Sequence, residues 1–146
     1  MIFYTDKLPI YNDWAAGVAI GPLIWIKNTH KENKGLLAHE KFHTKMFWIW
    51  AAPFTCVAIV LFLMQFVNLA LITIGVALSL RALIYWYIDS YRLWEEVKAY
   101  IIQWKVNEEA EVRLQIYAKA IVKHYRLSIS EEEVLEKLKN ELKRSH

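Results

Sequence analysis

The hydrophobic pattern divides the chain into three parts. Residues 46–88 form an almost unbroken apolar stretch in which Arg81 is the single charged side chain. A helix rises about 1.5 Å per residue and a hydrocarbon core about 30 Å thick needs about 20 apolar residues, so the stretch is long enough for two passes. Gln65 and Asn68 interrupt it near its middle. The pattern predicts one span over 46–64, a tight QFVN turn and a second span over 69–88. Pro53 is expected to bend the first span, which membrane helices tolerate. A buried hairpin in a soluble bundle is the competing reading, but soluble helices normally carry a polar face that this stretch lacks.

Ahead of that stretch, residues 1–28 read as two short extended segments, IFYT and VAIGPLIWI. The turn formers Pro9, Asn12 and Asp13 separate them and predict a small β-hairpin. The loop KNTHKENKG then leads to a helix over 36–45 that is expected to run straight into the first span. Behind the second span, Leu93, Val97, Ile101 and Trp104 form an apolar stripe on one long helix, or on two joined near Asn107. Ser130 followed by Glu131, Glu132 and Glu133 is a capping-box start for a last amphipathic helix ending near Leu142. The expected fold is therefore mainly α and integral to a membrane, one domain over 1–146. Its parts are an extended N-terminal region (1–35), the 36–45 helix, the transmembrane hairpin and a C-terminal helical region (92–146).

Composition supports this division. The chain is 56% hydrophobic and 14% aromatic, rich for a soluble domain. Every Lys and Arg lies before the first span, at its edge, near the end of the second span or after it, while the QFVN turn has none. By the positive-inside rule both termini face the cytoplasm, in what is expected to be the cell (inner) membrane. Trp48, Trp50, Tyr85, Trp86, Tyr87, Tyr91 and Trp94 form an aromatic belt at that surface. The N-terminus lacks a basic start followed by an apolar run, so the hairpin itself is expected to direct insertion. The one cysteine, Cys56, lies within the first span and excludes an intramolecular disulfide or a cysteine metal site. Net charge is +3 with acidic and basic residues interleaved after Glu95, which is no nucleic-acid footprint; lysines near the membrane favour anionic lipid.

Chemistry enters with His39-Glu40-Lys41-Phe42-His43, an HExxH motif. It sets two imidazoles one helical turn apart for one metal ion, with a glutamate beside them that can serve as general base. In a chain with five histidines the match arises by chance about 0.01 times. A third ligand is suitably placed in Glu96-Val97-Lys98-Ala99, an ExxA element. The hairpin leaves the cytoplasmic face just after His43 and returns to it just before Glu96, so topology brings both motifs to one depth. Two His and one Glu with an open fourth position suit Zn²⁺ best among divalent ions.

HExxH, a two-helix membrane excursion and then ExxA resembles the membrane gluzincins, the group of the heat-shock membrane zinc proteases and CAAX prenyl proteases. The resemblance covers about residues 36–100 and implies a minimal zincin fold. It also implies a zinc metalloendopeptidase with His39, His43 and Glu96 as ligands, Glu40 as general base and a zinc-bound water as nucleophile. The segment GVAIGPLIWI resembles the edge strand on which such enzymes bind extended substrates. Two departures stand out. No helical pair precedes HExxH, and Tyr100 stands where an acidic residue often follows ExxA. Since that residue commonly orients a histidine ligand, Asp89 or a backbone carbonyl is expected to do so here.

Other residues carry weaker expectations. Glu95 adjoins Glu96 and could be the ligand in its place, although it points about 100° away around the helix. Arg92, four positions before Glu96, can pair with its carboxylate or snorkel at the interface. His124 and Tyr125 are candidates for stabilising a transition-state oxyanion, set against a default role as exposed helix residues. His30 reads as solvent-facing and Arg81 as an arginine snorkelling towards the headgroups. The expected partners are membrane lipid, a peptide or membrane-protein substrate cleaved at the cytoplasmic interface, and further copies of the chain in a homo-oligomer. The alternative is a non-catalytic structural or regulatory membrane protein that keeps a zinc site for stability.

Overall fold

The computed structural model describes residues 1–10, 14–125 and 127–145. The expected turn residues Asn12 and Asp13 lie outside them. Among the described residues the fold is mainly helical: a three-stranded sheet, then five α-helices.

The sheet corrects the predicted hairpin. Strands β1 (Ile2–Thr5), β2 (Gly17–Ile20) and β3 (Leu23–Lys27) lie in the order β1-β3-β2. IFYT pairs in parallel with β3, Ile2 opposite Ile24. The antiparallel hairpin lies instead inside VAIGPLIWI, where Ile20 pairs with Leu23 across Gly21 and Pro22. Gly21 has φ +59, and a two-residue loop with glycine first suits the twist of a hairpin. A run read as one extended segment is thus two strands. The inward residues Ile24 and Ile26 are buried against Leu36, fastening the sheet to the start of the first helix.

Helix α1 (Lys34–Leu63) is continuous from the HExxH turn through the apolar run, as expected. Asn33 caps it, its side chain accepting from the Leu36 N–H at 2.8 Å. The bend out of α1 is shorter than predicted, with Gln65 at φ +65, and α2 (Val67–Tyr87) begins two residues early. Both helices are long and apolar enough to cross a membrane, and only 11% of each apolar window is buried inside the protein. Leu63 and Leu71 are 74% and 64% exposed, whereas the buried residues where the helices meet are the small Ala58, Ala70 and Ala77. Small side chains at such a contact let two backbones approach closely.

Ile88 is extended (φ −105, ψ 93) and breaks α2 from α3 (Asp89–Asn107). The predicted alternative of two helices joined near Asn107 holds, since Glu108 is left-handed at φ 51 and ends α3. Helices α4 (Arg113–Tyr125) and α5 (Glu131–Arg144) follow, the latter with the complete Ser130–Glu133 capping box. Leu93, Val97 and Ile101 of the apolar stripe pack with Leu114, Ile121, Val134 and Leu138, and Trp104 packs at the edge of this core. That core holds α3 firmly behind its opposite face, which carries the glutamates.

Candidate metal centre

His39 and His43 are four residues apart on α1, so both project from one face. Their ring centroids are 4.9 Å apart. They lie ahead of the apolar run that begins at Met46. Across from them, α3 presents Glu96, which has no solvent exposure. His39 Nε2 is 3.1 Å from His43 Nε2 and 3.6 Å from Glu96 Oε2, and His43 Nε2 is 3.5 Å from Glu96 Oε1. One donor atom from each of the three residues lies within 4.8 Å of the others.

These separations can be compared with what a metal requires. Donors about 2.0–2.1 Å from a tetrahedral zinc stand about 3.3 Å from one another. The His39–His43 separation, and the contact of each ring with one Glu96 oxygen, lie near that value, with the two rings facing different oxygens of the carboxylate. The Oε2 atom of Glu96 is buried and takes no hydrogen bond from the protein. A buried carboxylate oxygen so placed costs free energy unless something positive meets it. The residues therefore fit a divalent cation of zinc's size.

The electrostatics are those of two histidines buried beside carboxylates. Burial lowers the pKa of His39, and neighbouring His43 lowers it further, so this ring is a neutral imidazole. For His43, burial opposes the cation, but Glu96 and the hydrogen-bonded Glu95 outweigh it and hold the ring up at about 9. Glu96 is raised by burial, against the pull of His43 and the hydroxyls of Tyr85 and Tyr125. Glu40 is pushed up to about 7, first by burial, with His43 opposing and Glu96 adding. It is 5% exposed, beside His39 but turned towards β2. A Cβ on Gly17 would sit 3.1 Å from Glu40 Oε1, which shows how closely the strand passes the carboxylate.

Of two adjacent glutamates, the structure turns Glu96 into the cluster and Glu95 behind it. Glu95 Oε1 is 2.8 Å from His43 Nδ1, and both Glu95 oxygens accept from Arg81 Nη2, at 2.6 and 2.7 Å. The orienting acceptor expected at Asp89 is therefore Glu95. Asp89 pairs instead with Arg92 at 2.5 Å, and Arg92 also donates to the Trp86 carbonyl, so the expected Arg92–Glu96 pair does not form. Tyr85, read from the sequence only as a belt residue, donates to Glu96 Oε1 at 2.6 Å. Arg81 and Tyr85 are four apart on α2, and that spacing was the available clue to a shared face.

Tyr100 fills its departure from the family pattern with packing. Its ring meets His39 edge-on at 4.6 Å and Tyr117 at 4.6 Å. The oxyanion candidates separate: His124 stacks on Trp14 at 3.8 Å, whereas Tyr125 packs against the α3–α4–α5 core, where burial and then the nearby Glu96 charge raise its pKa. His30 lies exposed in the short helical turn before α1. A groove lined by Ala82, Leu83, Trp86 and Tyr87 shares no residue with the cluster.

No family model matches this chain, and no curated protein or solved structure matches it. The case for its chemistry rests on the residues themselves.

Proposed function

We propose that the protein is a zinc metallopeptidase of the membrane, acting on peptide segments at the cytoplasmic surface. The observation that carries this reading is the gathering of one donor atom each from His39, His43 and Glu96 within 4.8 Å of one another, with the buried Glu40 beside them. The likeness of HExxH, hairpin and ExxA to the membrane gluzincins points the same way. Insertion in a bilayer is supported by the two apolar helices, whose apolar side chains face outwards.

In this mechanism His39, His43 and Glu96 would hold the metal. Bound there, zinc supplies Lewis acidity to a water molecule and to the scissile carbonyl. Glu40 accepts the proton of the attacking water and returns it to the leaving amine. A carboxyl held near 7 is suited to both transfers at neutral pH. β2 is an edge strand, the place where an extended peptide can add to a sheet, and Gly17 would bring such a peptide close to Glu40. The Tyr125 hydroxyl is a neutral donor on the Glu96 side of the cluster for a developing oxyanion.

The test is zinc content and hydrolysis on detergent-purified protein. Wild type is expected to carry about one zinc per chain, and His43→Ala and Glu96→Ala to lose it. Glu40→Gln is expected to keep the zinc and to stop cleaving casein or a detergent-unfolded membrane protein. Hydrolysis undiminished in Glu40→Gln, or a wild type that takes up no zinc, overturns the reading.

A further inference from the structure

We propose that the second membrane helix is part of the metal centre, with Arg81 acting through Glu95 as a positioning residue that fixes His43. The inference rests on the zinc reading above and extends it.

Arg81 lies seven residues before Ile88, about 10 Å along the helix from its end. A charge within an apolar membrane helix is costly, and such residues face the protein interior and mark function. A snorkelling arginine would extend alone towards the headgroups. Arg81 turns inwards instead, its side chain 14% exposed, and grips a glutamate that has no exposure. Its guanidinium also lies over the rings of Tyr85 and Tyr91, at 5.3 and 5.4 Å.

The consequence passes through Glu95 to the imidazole. A carboxylate at 2.8 Å from Nδ1 selects the His43 tautomer that carries its proton there. When the ring is neutral, the Nε2 lone pair is then directed at the cluster, where Nε2 stands 3.1 Å from His39 Nε2. Arg81 holds both Glu95 oxygens, so the carboxylate cannot rotate away, and it offsets one of two adjacent buried acids. One turn further along the same helix, Tyr85 holds Glu96. Neighbouring glutamates on α3 are therefore both set by α2, one towards the metal and one behind its histidine ligand. An ordinary interhelical ion pair would stabilise the fold without selectively setting metal affinity.

Zinc affinity separates these roles. It is measured by chelator competition in detergent for wild type, Arg81→Gln, Glu95→Gln, the double variant and Arg81→Lys, with Co²⁺ absorption as the spectroscopic readout. Each single Gln variant is expected to bind zinc about 10–100-fold more weakly, the usual loss when a ligand's outer partner is removed. The double variant is expected to be no weaker than Glu95→Gln alone, because Arg81 acts through that carboxylate. The Co²⁺ bands should shift in all three, and Arg81→Lys should recover part of the loss. Where Arg81→Gln fails to purify as a folded species, Glu95→Gln and Arg81→Lys decide the matter by the same measurements. Zinc affinity within twofold of wild type in Arg81→Gln, or losses that simply add, overturns the proposal while leaving the metal site intact. A wild type that binds no zinc overturns the underlying reading as well.

Discussion

Gly35 offers a stability test that needs no substrate. It is the second residue of α1, and its N–H, which has no partner inside the helix, donates to Asn107 Oδ1 at 2.8 Å. Asn107 ends α3 and also donates to Asn33 Oδ1 at 3.3 Å and to Glu109 Oε1 at 2.9 Å. This clamp joins the helix that carries both histidines to the helix that carries Glu96. A Cβ at Gly35 would meet the Asn107 amide oxygen and carbon at or below 2.5 Å, so the amide must leave. Gly35→Ala then forfeits up to three hydrogen bonds at about 0.5–1.5 kcal/mol each. Alanine returns at most about 1 kcal/mol of helix propensity. The net loss is about 1–3 kcal/mol, or about 5 °C in Tm for a chain of this size.

The informative comparison is with Asn107→Ala. Once the amide is gone, a methyl at residue 35 has room, and only its propensity gain remains. Gly35→Ala should therefore change sign, from destabilising in wild type to neutral or stabilising by up to about 1 kcal/mol in the Asn107→Ala background. Thermal unfolding of the four proteins in one detergent, followed by circular dichroism, gives the cycle. An equal loss in both backgrounds would refute the clamp and the close approach on which it rests.

Three further outcomes follow from other parts of the structure. Gly17→Ala should push the Glu40 carboxylate aside by a few tenths of an ångström, because the other neighbour of the new methyl is the Trp25 backbone oxygen at 3.3 Å, which cannot yield. Since a misplacement of about 1 Å can cost about 100-fold, casein cleavage should slow roughly tenfold with zinc content unchanged, and unchanged cleavage would contradict it. Leu138→Ala, at a side chain with no exposure in the α3–α4–α5 core, should cost about 2–5 kcal/mol in denaturant unfolding. Free zinc at 100 times its Kd should stabilise the wild type by about 2.7 kcal/mol and leave the Tm of His39→Ala unmoved.

What could be read from the sequence depended on how locally each feature is encoded. The apolar run, the capping box at Ser130 and the HExxH spacing are carried by neighbouring residues, and each corresponds to the same element of the structure. Glu96 could be nominated because the hairpin returns the chain to the level at which it left. The sheet was misread because strand pairing is not local: Gly21 divides one apolar segment into two strands, and IFYT then takes the outer edge of β3.

The same limit explains the acceptor behind His43. From the sequence Glu95 reads only as a rival ligand, and it points about 100° from Glu96 around α3. That rotation lets the two carboxylates serve different sides, Glu96 facing both rings and Glu95 lying behind His43 Nδ1. Asp89 was the more obvious choice on charge alone, yet its helix-mate Arg92 claims it at 2.5 Å. Deciding between the two acids requires knowing where α2 lies, because Arg81 selects Glu95. An arginine within an apolar helix was the visible sign of this arrangement. Its partner could not be assigned until three helices had been placed together.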